Sequence, residues 1–191
     1  IDLVFISHNH SDHIGGLAAL LAVNGHARVI MPEGMASNTK GRGAGIFKKA
    51  WTAAKARLWP VPQSTVLYEW SPGIFGSGLL TAALPDGKTI AEQGLILDTP
   101  KGLVLIVGCS HPGPEAFVRL VRQHFNRPVA LLVGGLHLQG PGMDEHRIRK
   151  TMGILKRQGV EQLSPVHCSG ERARLIARST FGERYLPGGV G

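Results

Sequence analysis

The residues most able to do chemistry lie in the string FISHNHSDHIGG at positions 5–16, where His8, His10, Asp12 and His13 follow an apolar run. Neutral imidazole nitrogens and carboxylate oxygens are ligands that zinc and similar ions take in proteins. In an extended segment, residues two apart face the same side, so His8 and His10 can chelate one ion together. Asp12 and His13 are expected at the turn into the following helix, where they can hold a second ion.

Three further strings place a histidine or a cysteine behind an apolar strand. They read LVLIVGCSH, LLVGGLH and QLSPVHC, and they contain Cys109, His111, His137, His167 and Cys168. Four strand ends that supply ligands to one rim of a sheet would bring these residues together in space. Two metal ions about 3.5–4 Å apart would share a bridging water and lower its pKa, which gives hydroxide near neutral pH. The pattern indicates a metal-dependent hydrolase.

The strands and helices that position these residues can be predicted from the spacing of apolar residues and from the glycines and prolines that bound each segment. We expect strands at about residues 2–7, 27–31, 64–68, 94–98, 103–108, 129–134 and 162–166. We expect helices over residues 11–22, with Ser11 and Asp12 as cap candidates, and over 114–125, 143–159 and 170–182. Within residues 34–92 we expect a loop that leads into a helix ending near Arg57, and a turn-rich excursion at WSPGIFGSGLL. The alternation of predicted strands and helices along the chain predicts a mixed α/β fold.

Composition predicts one domain over residues 1–191, because 43% of the 191 residues are hydrophobic and only 18% are charged. We find no signal-peptide pattern and no apolar run long enough to span a membrane, so we expect a cytoplasmic protein without membrane contact. Two cysteines do not make a disulfide framework, and the redox compartment stays open.

The net charge is +8, and residues 34–68 contain no Asp or Glu while they carry six basic residues: Lys40, Arg42, Lys48, Lys49, Lys55 and Arg57. Such a segment is either an ordinary solvated surface or a field that steers an anionic substrate, such as a phosphate ester or a nucleic acid.

The string at residues 8–13 resembles the His-x-His-x-Asp-His signature of the metallo-β-lactamase superfamily, which implies an αββα sandwich and metal-dependent hydrolysis. The strings GLVLIVGCSHPG, LLVGGLHL and PVHCSG, supported by EQGLIL and the closing LPGGVG, resemble one subfamily. It is named after 7,8-dihydropterin-6-methyl-4-(β-D-ribofuranosyl)aminobenzene 5′-phosphate synthase. The resemblance spans nearly the whole chain and is least specific over residues 34–70. It further implies a domain that is short at its amino terminus, with an exposed sheet edge that invites oligomer formation.

The resemblance implies a ligand set for two divalent metal ions. It assigns the first ion to His8, His10 and His111, and the second ion to Asp12, His13 and His167. Many relatives carry a bridging aspartate after a glycine, whereas this chain has Gly108 followed by Cys109. Cys109 either contributes a thiolate or leaves the bridge to water alone. A sulfur ligand favours zinc, with manganese and iron as alternatives.

Some residues of the pattern have two interpretations. His137 is either a lone structural residue or a group that points into the cleft to bind substrate or protonate a leaving group. Cys168 is interpreted as a small packed residue rather than a ligand. Glu92 belongs to the EQ pair of the subfamily pattern, but it could equally be an ordinary charge beside a strand. The histidines without a partner pattern are expected on the surface or on helices: His26, His124 and His146.

The leading hypothesis is a hydrolase of a phosphoester or phosphodiester, with a small anionic, phosphorylated substrate and with Asp12 or His137 handling protons. One alternative is a lactone or other carbonyl-ester hydrolase, for which GIFKKAW and WSPGIF could supply an apolar pocket. Another is a nuclease-like nucleic-acid binder that stacks bases on Trp51, Trp59 or Trp70, which the 6% aromatic content disfavours. The last is a catalytically inactive metal-binding fragment.

Overall fold

The computed structural model describes residues 1–33, 35, 57–64 and 66–189. These residues form eleven strands: β1 (Leu3–Phe5), β2 (Arg28–Pro32), β3 (Leu58–Val61), β4 (Tyr68–Ser71), β5 (Ile74–Gly76), β6 (Leu80–Ala83), β7 (Thr89–Glu92), β8 (Leu95–Thr99), β9 (Gly102–Val107), β10 (Val129–Gly135) and β11 (Val160–Val166). They also form five α-helices: α1 (Ser11–Ile14), α2 (Leu17–Val23), α3 (Pro114–Phe125), α4 (Glu145–Arg157) and α5 (Glu171–Phe181).

The strands form two principal sheets and one hairpin. Strands β1, β2 and β3 pair in parallel in a three-stranded sheet. The larger sheet has the order β11-β10-β9-β8-β5-β4, and its three strands β9, β10 and β11 run parallel to one another. Strands β6 and β7 form a separate antiparallel pair. The carboxyl ends of β9, β10 and β11 therefore lie at one edge of the larger sheet.

Each principal sheet is covered by helices on one face. Successive side chains of β9 point to opposite faces of the sheet, and those of Leu103, Leu105 and Val107 are buried. The same core contains Phe117 of α3 and Ile148 of α4. Burying apolar side chains of this size contributes about 1.5–3 kcal/mol each relative to leaving them exposed.

A separate core joins the small sheet to the first two helices. It contains Val29 and Met31 of β2 together with Leu17 and Leu21 of α2. The two sheets meet at Gln93, whose amide side chain donates to the carbonyl of Ile6 over 2.9 Å. The resulting order of helices, sheet, sheet and helices is the αββα arrangement predicted from the sequence.

The predicted elements agree with the structure best in the second half of the chain. Helix α3 covers residues 114–125 as predicted. Helices α4 and α5 lie within the predicted ranges, and Asp144 caps α4 by accepting a hydrogen bond from the Arg147 amide at 2.8 Å. The strands predicted near residues 2–7, 27–31, 94–98, 103–108, 129–134 and 162–166 are all present, with ends that shift by up to two residues.

Two predictions in the first half were wrong. The helix predicted over residues 11–22 is split at Gly15 and Gly16 into α1 and α2, because glycine weakens a helix interior. Ser11 and Asp12 lie inside the first turn rather than at its cap. The N-cap position belongs to His10, whose side chain makes no capping bond.

The strand predicted at residues 64–68 was also wrong, since among the described residues of that range only Tyr68 is in a strand. Strands β4 and β5 pair in a hairpin that turns at Gly73, where φ is +76°. The Tyr68 ring of β4 covers Gly76 on β5. The string WSPGIFGSGLL is therefore mainly strand β4, the turn and strand β5.

The predicted loop and helix leading to Arg57 fall largely outside the described residues. Arg57 itself donates to the backbone carbonyls of Asn24 and Ala27 at 2.9 and 3.1 Å. The Arg57 side chain therefore connects the end of α2 to the start of β2. Among the residues that the structure describes, none of the helices has the length and apolarity to cross a membrane.

Candidate metal centre

Three histidines from two distant strings form the buried half of the site. His8 and His10 follow β1, and His111 follows β9. Each pair of their ring centroids is 4.8 Å apart, and one ring nitrogen from each lies within 4.8 Å of the others. Three imidazoles at this spacing can bind one ion and leave a coordination position open.

Glu92, at the end of β7, organises this half. Its carboxylate is fully buried. Oε1 accepts hydrogen bonds from the amides of Cys109 and Ser110 at 2.8 Å, and Oε2 accepts from the amide of His111 at 2.8 Å and from its ring Nδ1 at 2.9 Å. Burial by itself would raise the pKa of Glu92, but the His111 hydrogen bond, the nearby His8 ring and these amides lower it to about 2.

The bond to Glu92 fixes the orientation of the His111 ring. Because Nδ1 carries the proton donated to the carboxylate, Nε2 has a free lone pair for a metal ion. A carboxylate behind a ligating histidine is the usual arrangement in protein metal sites. In this chain β7, rather than a strand before the histidine string, supplies the carboxylate.

His8 provides the test of whether a metal fits here. Its Nδ1 lies 3.0 Å from the Ser7 hydroxyl and 3.6 Å from Glu92 Oε1, whereas its Nε2 is buried without a hydrogen-bond partner. Burial lowers the pKa of His8 to about 3, so the ring is neutral at pH 7 despite the nearby carboxylate. A buried, unpartnered imidazole nitrogen beside two other imidazoles fits a bound divalent ion.

The second half of the site is more exposed. His13 and His167 place their Nε2 atoms 3.1 Å apart, and Asp12 Oδ2 lies 3.3 Å from His167 Nε2 and 3.6 Å from His13 Nε2. The side chains of Asp12 and His167 are 55% and 40% exposed, and that of His13 is 17% exposed. Partial burial lowers the pKa of His13. These donors can hold a second ion, with easier access from solvent.

Cys109 connects the two halves. Its buried Sγ lies 3.2 Å from His13 Nε2, and it groups with ring nitrogens of His8 and His13 within 4.8 Å. A side-chain hydrogen bond with Cys168 and burial both raise the pKa of the Cys109 thiol, so it is protonated without a metal. A metal ion bound there would favour the thiolate.

The backbone around the site adopts conformations that side chains rarely take. In the described residues, four positions other than glycine have positive φ, and three of them lie here: Ser110, His137 and His167. Left-handed backbone at such residues costs free energy that packing must offset, and it concentrates at functional sites. Gly135 allows close packing, because a Cβ there would lie 2.4 Å from the Gly108 carbonyl.

The remaining histidines lie where the sequence analysis expected them or beside the centre. The ring of His137 is exposed and lies 4.5 Å from that of His111, so it borders the centre without belonging to the metal-holding groups. His26, His124 and His146 are exposed and remote.

A cavity of about 550 Å³ adjoins the metal centre and is bounded by His10. One part of its lining is polar and includes Lys88, Asp86 and Glu33. Another part is apolar and includes Met35, Leu84 and Ile90. A substrate in this cavity would reach the ions from the His10 side.

The comparisons with known proteins agree with this geometry. A family model described as the metallo-beta-lactamase superfamily matches residues 1–127. The chain belongs to the metallo-beta-lactamase superfamily. The crystal structure of Tm1679, a metal-dependent hydrolase of the beta-lactamase superfamily, superposes with a TM-score of 0.67 at 26% identity, over 94% of this chain and 73% of the other.

Two curated relatives of this superfamily member refine the resemblance. The 7,8-dihydropterin-6-methyl-4-(beta-D-ribofuranosyl)-aminobenzene-5'-phosphate synthase of Methanocaldococcus jannaschii is 27% identical over 215 residues, covering 97% of this chain and 72% of the relative. A metal-dependent hydrolase of Opitutus terrae is 29% identical over 151 residues, covering 73% and 58%. The subfamily resemblance seen in the sequence is confirmed, and metal-dependent hydrolases are among the relatives.

Sequence reasoning undervalued Glu92. Its signal was present, since an acidic residue directly follows the apolar TIA of β7 and belongs to the EQ pair. The neighbouring Gln93 is buried too, and its side-chain oxygen accepts a hydrogen bond from Tyr68 at 2.9 Å. A buried acid without a basic neighbour in sequence indicates a partner from elsewhere in the fold.

Proposed function

We propose that this protein is a dinuclear metallohydrolase that cleaves a phosphoester or phosphodiester. The observation that carries the proposal is the convergence of two donor groups from strand ends of both principal sheets: His8, His10 and His111 beside Asp12, His13 and His167 with Cys109. When bound there, two divalent ions, with zinc favoured, would supply an activated water and polarise the oxygen of the bond that breaks.

The protein's own residues would position the substrate and move protons. Asp12 is exposed at the centre, and its own backbone amide and the nearby imidazoles lower its pKa in spite of desolvation, so it is ready to accept a proton. His137 borders His111 from the exposed side and can donate a proton to the leaving group. Glu92 holds His111 in place but is not itself one of the residues that line the cavity.

Lys88 is the one lysine or arginine in the described lining of the cavity, and we propose that it binds an anionic substrate despite Asp86 and Glu33 in the same lining. Its ammonium lies 2.7 Å from Asp86, but the Lys88 side chain is 78% exposed, so the pair is weak and the cation can turn toward a phosphate. The basic segment at residues 34–68 supports the same choice through its charge, although Arg57 is already bound to backbone carbonyls.

A carbonyl ester or lactone is the second candidate, because Met35, Leu84 and Ile90 give the same cavity an apolar wall. Nucleic-acid binding has less support. Trp59 is exposed, but its ring packs edge-on against Trp70 with centroids 4.3 Å apart, which restricts base stacking, and Trp51 lies outside the described residues.

The test is a comparison of hydrolysis rates on a phosphodiester, a phosphomonoester and a lactone with the metal-loaded protein. We expect phosphoester cleavage, absent in His8→Ala, and a KM for the phosphoester that rises about tenfold in Lys88→Ala while lactone turnover stays unchanged. Lys101→Ala, an exposed lysine outside this cavity, is the matched control. Lactone cleavage alone, insensitive to Lys88→Ala, would establish the second candidate instead.

A further inference from the structure

The two cysteines of the chain lie together at the metal centre, although 59 positions separate them. Cys109 follows β9 and is buried, and Cys168 follows β11 and is half-buried; both are free thiols. Their Sγ atoms and a ring nitrogen of His167 all lie within 4.8 Å of one another. This group differs from the Asp12, His13 and His167 set that the family resemblance implies.

A glycine makes the meeting of the two cysteines possible. A Cβ at Gly135 of β10, the strand between β9 and β11, would lie 2.7 Å from Cys168 Sγ and 3.2 Å from Cys109 Cα. The absence of a side chain there lets Cys168 lie against Cys109, whose carbonyl is 3.6 Å from Cys168 Sγ. The backbone turn at His167, with φ at +49°, precedes this contact.

The spacing of the surrounding donors suits a single ion. His13 Nε2 is 3.1 Å from His167 Nε2 and 3.2 Å from Cys109 Sγ. Two donors held about 2.0–2.3 Å from a tetrahedral ion lie roughly 3.3–3.8 Å apart, so a small inward adjustment would accommodate one. Cys168 Sγ lies in one group with Cys109 Sγ and a ring nitrogen of His167, and it adds a second sulfur donor there.

We infer that Cys168 is a ligand of the second metal ion, together with Cys109 and His167. This inference rests on the proposed function, because the second ion belongs to the proposed dinuclear centre. Two thiolates make the second site selective for thiophilic cations such as Zn²⁺ or Cd²⁺ over Mn²⁺, whereas the first site offers imidazoles alone. Asp12, the exposed member, is then left available for proton transfer.

The test is a Co²⁺ titration of the metal-free full chain under reducing conditions, followed by sulfur-to-cobalt charge-transfer absorption. Binding of the second equivalent to the parent should produce this absorption. Cys168→Ser and Cys109→Ser should each remove about half of its intensity, because each removes one of two thiolates. Each substitution should also lower the affinity for the second Co²⁺ ion at least about tenfold. This is the lower end of the loss in metal affinity that follows removal of an outer-shell partner of a metal ligand.

Glu183→Gln, which alters an exposed acid outside the candidate ligand groups, is the control and should keep the full absorption. Cys168→Ala, which removes the hydroxyl that Ser could offer, should behave like Cys168→Ser. Two bound equivalents with an absorption unchanged in both Cys168 variants would overturn the inference and leave the dinuclear proposal standing. A parent that binds one equivalent without charge-transfer absorption would overturn both.

Discussion

The two halves of the metal centre differ in how completely the fold organises them. His8 and Glu92 are fully buried and the His111 side chain is 4% exposed, and hydrogen bonds hold the His111 ring and the loop after β9. By contrast, Asp12 and His167 are about half exposed, and their described side-chain contacts are with other candidate ligands. The first half is therefore held in place by the fold, whereas the second half is held mainly by contacts among its own members.

The largest effect should come from removing the buried half. His8→Ala deletes the ring with the unpartnered nitrogen, and we expect loss of the first ion and a fall in hydrolytic rate of more than about 100-fold, beyond the 10- to 100-fold typical of an outer-shell partner. Steady-state kinetics on the metal-loaded variant measure this. His124→Ala, an exposed histidine on α3, is the control; a His8→Ala rate close to that of the parent would contradict the assignment.

Glu92→Gln should give the next largest effect. The amide group of Gln would face donors that now bind a carboxylate, so we expect a 10- to 100-fold loss in affinity for the first ion. We also expect a loss of about 1–3 kcal/mol in the free energy of unfolding of the metal-free chain. Metal-competition titration and denaturant unfolding measure the two effects.

The control for Glu92→Gln is Glu183→Gln, which alters an exposed acid remote from the centre. If Glu92→Gln lowered stability but left metal affinity unchanged, Glu92 would have a packing role only, and the contrast between the two halves would lose its physical basis.

His167→Ala should separate the halves. Since His167 is exposed and contributes little to the core, we expect the free energy of unfolding of the metal-free chain to change by less than about 0.5 kcal/mol. Affinity for the second ion should fall while the first ion stays bound. Isothermal titration calorimetry with unfolding data checks both, and loss of both ions together would show that the halves are not independent.

A pH dependence of the metal-free chain should also distinguish the buried half. Burial lowers the pKa of His8 from 6.5 to about 3, so the native ring stays neutral while the unfolded chain takes up a proton. This contribution to stability is fully present above pH 6.5 and is lost as pH falls toward 3, at up to about 1.4 kcal/mol per pH unit. Glu92, with its pKa lowered to about 2, adds a loss below about pH 4.5.

Denaturant unfolding at pH 7, 5.5 and 4.5 measures this dependence. His8→Ala should flatten the change between pH 6.5 and 4.5, because the variant lacks the titrating ring. A parent whose stability is independent of pH over that range would contradict the burial of a neutral His8.

The sequence predicted the fold class and the convergence of the candidate ligands, but not every element around them. Local strings placed each ligand behind an apolar strand, and strand β9 and helix α3 could be recognised from alternation and from proline and glycine. The role of Glu92 could not be predicted in the same way, because it depends on β7 bringing a carboxylate under a loop 17 residues away. The hairpin of β4 and β5 was missed because its register depends on tertiary contact between Tyr68 and Gly76.

The contact between the two cysteines was predicted only in part. The strand-end strings implied that Cys109 and Cys168 lie near each other, but Cys168 was interpreted as a packed residue rather than a ligand. Only the order of β9, β10 and β11 in the sheet, with Gly135 between, brings it to Cys109.

The most direct measurement is the elemental metal content of the purified chain after reconstitution with zinc, compared with His8→Ala and His167→Ala. We expect about two equivalents of zinc per chain in the parent and about one in each variant, with the remaining ion bound to the unaltered half. One equivalent in the parent that both substitutions abolish would contradict the dinuclear centre and show that the two donor groups serve a single ion.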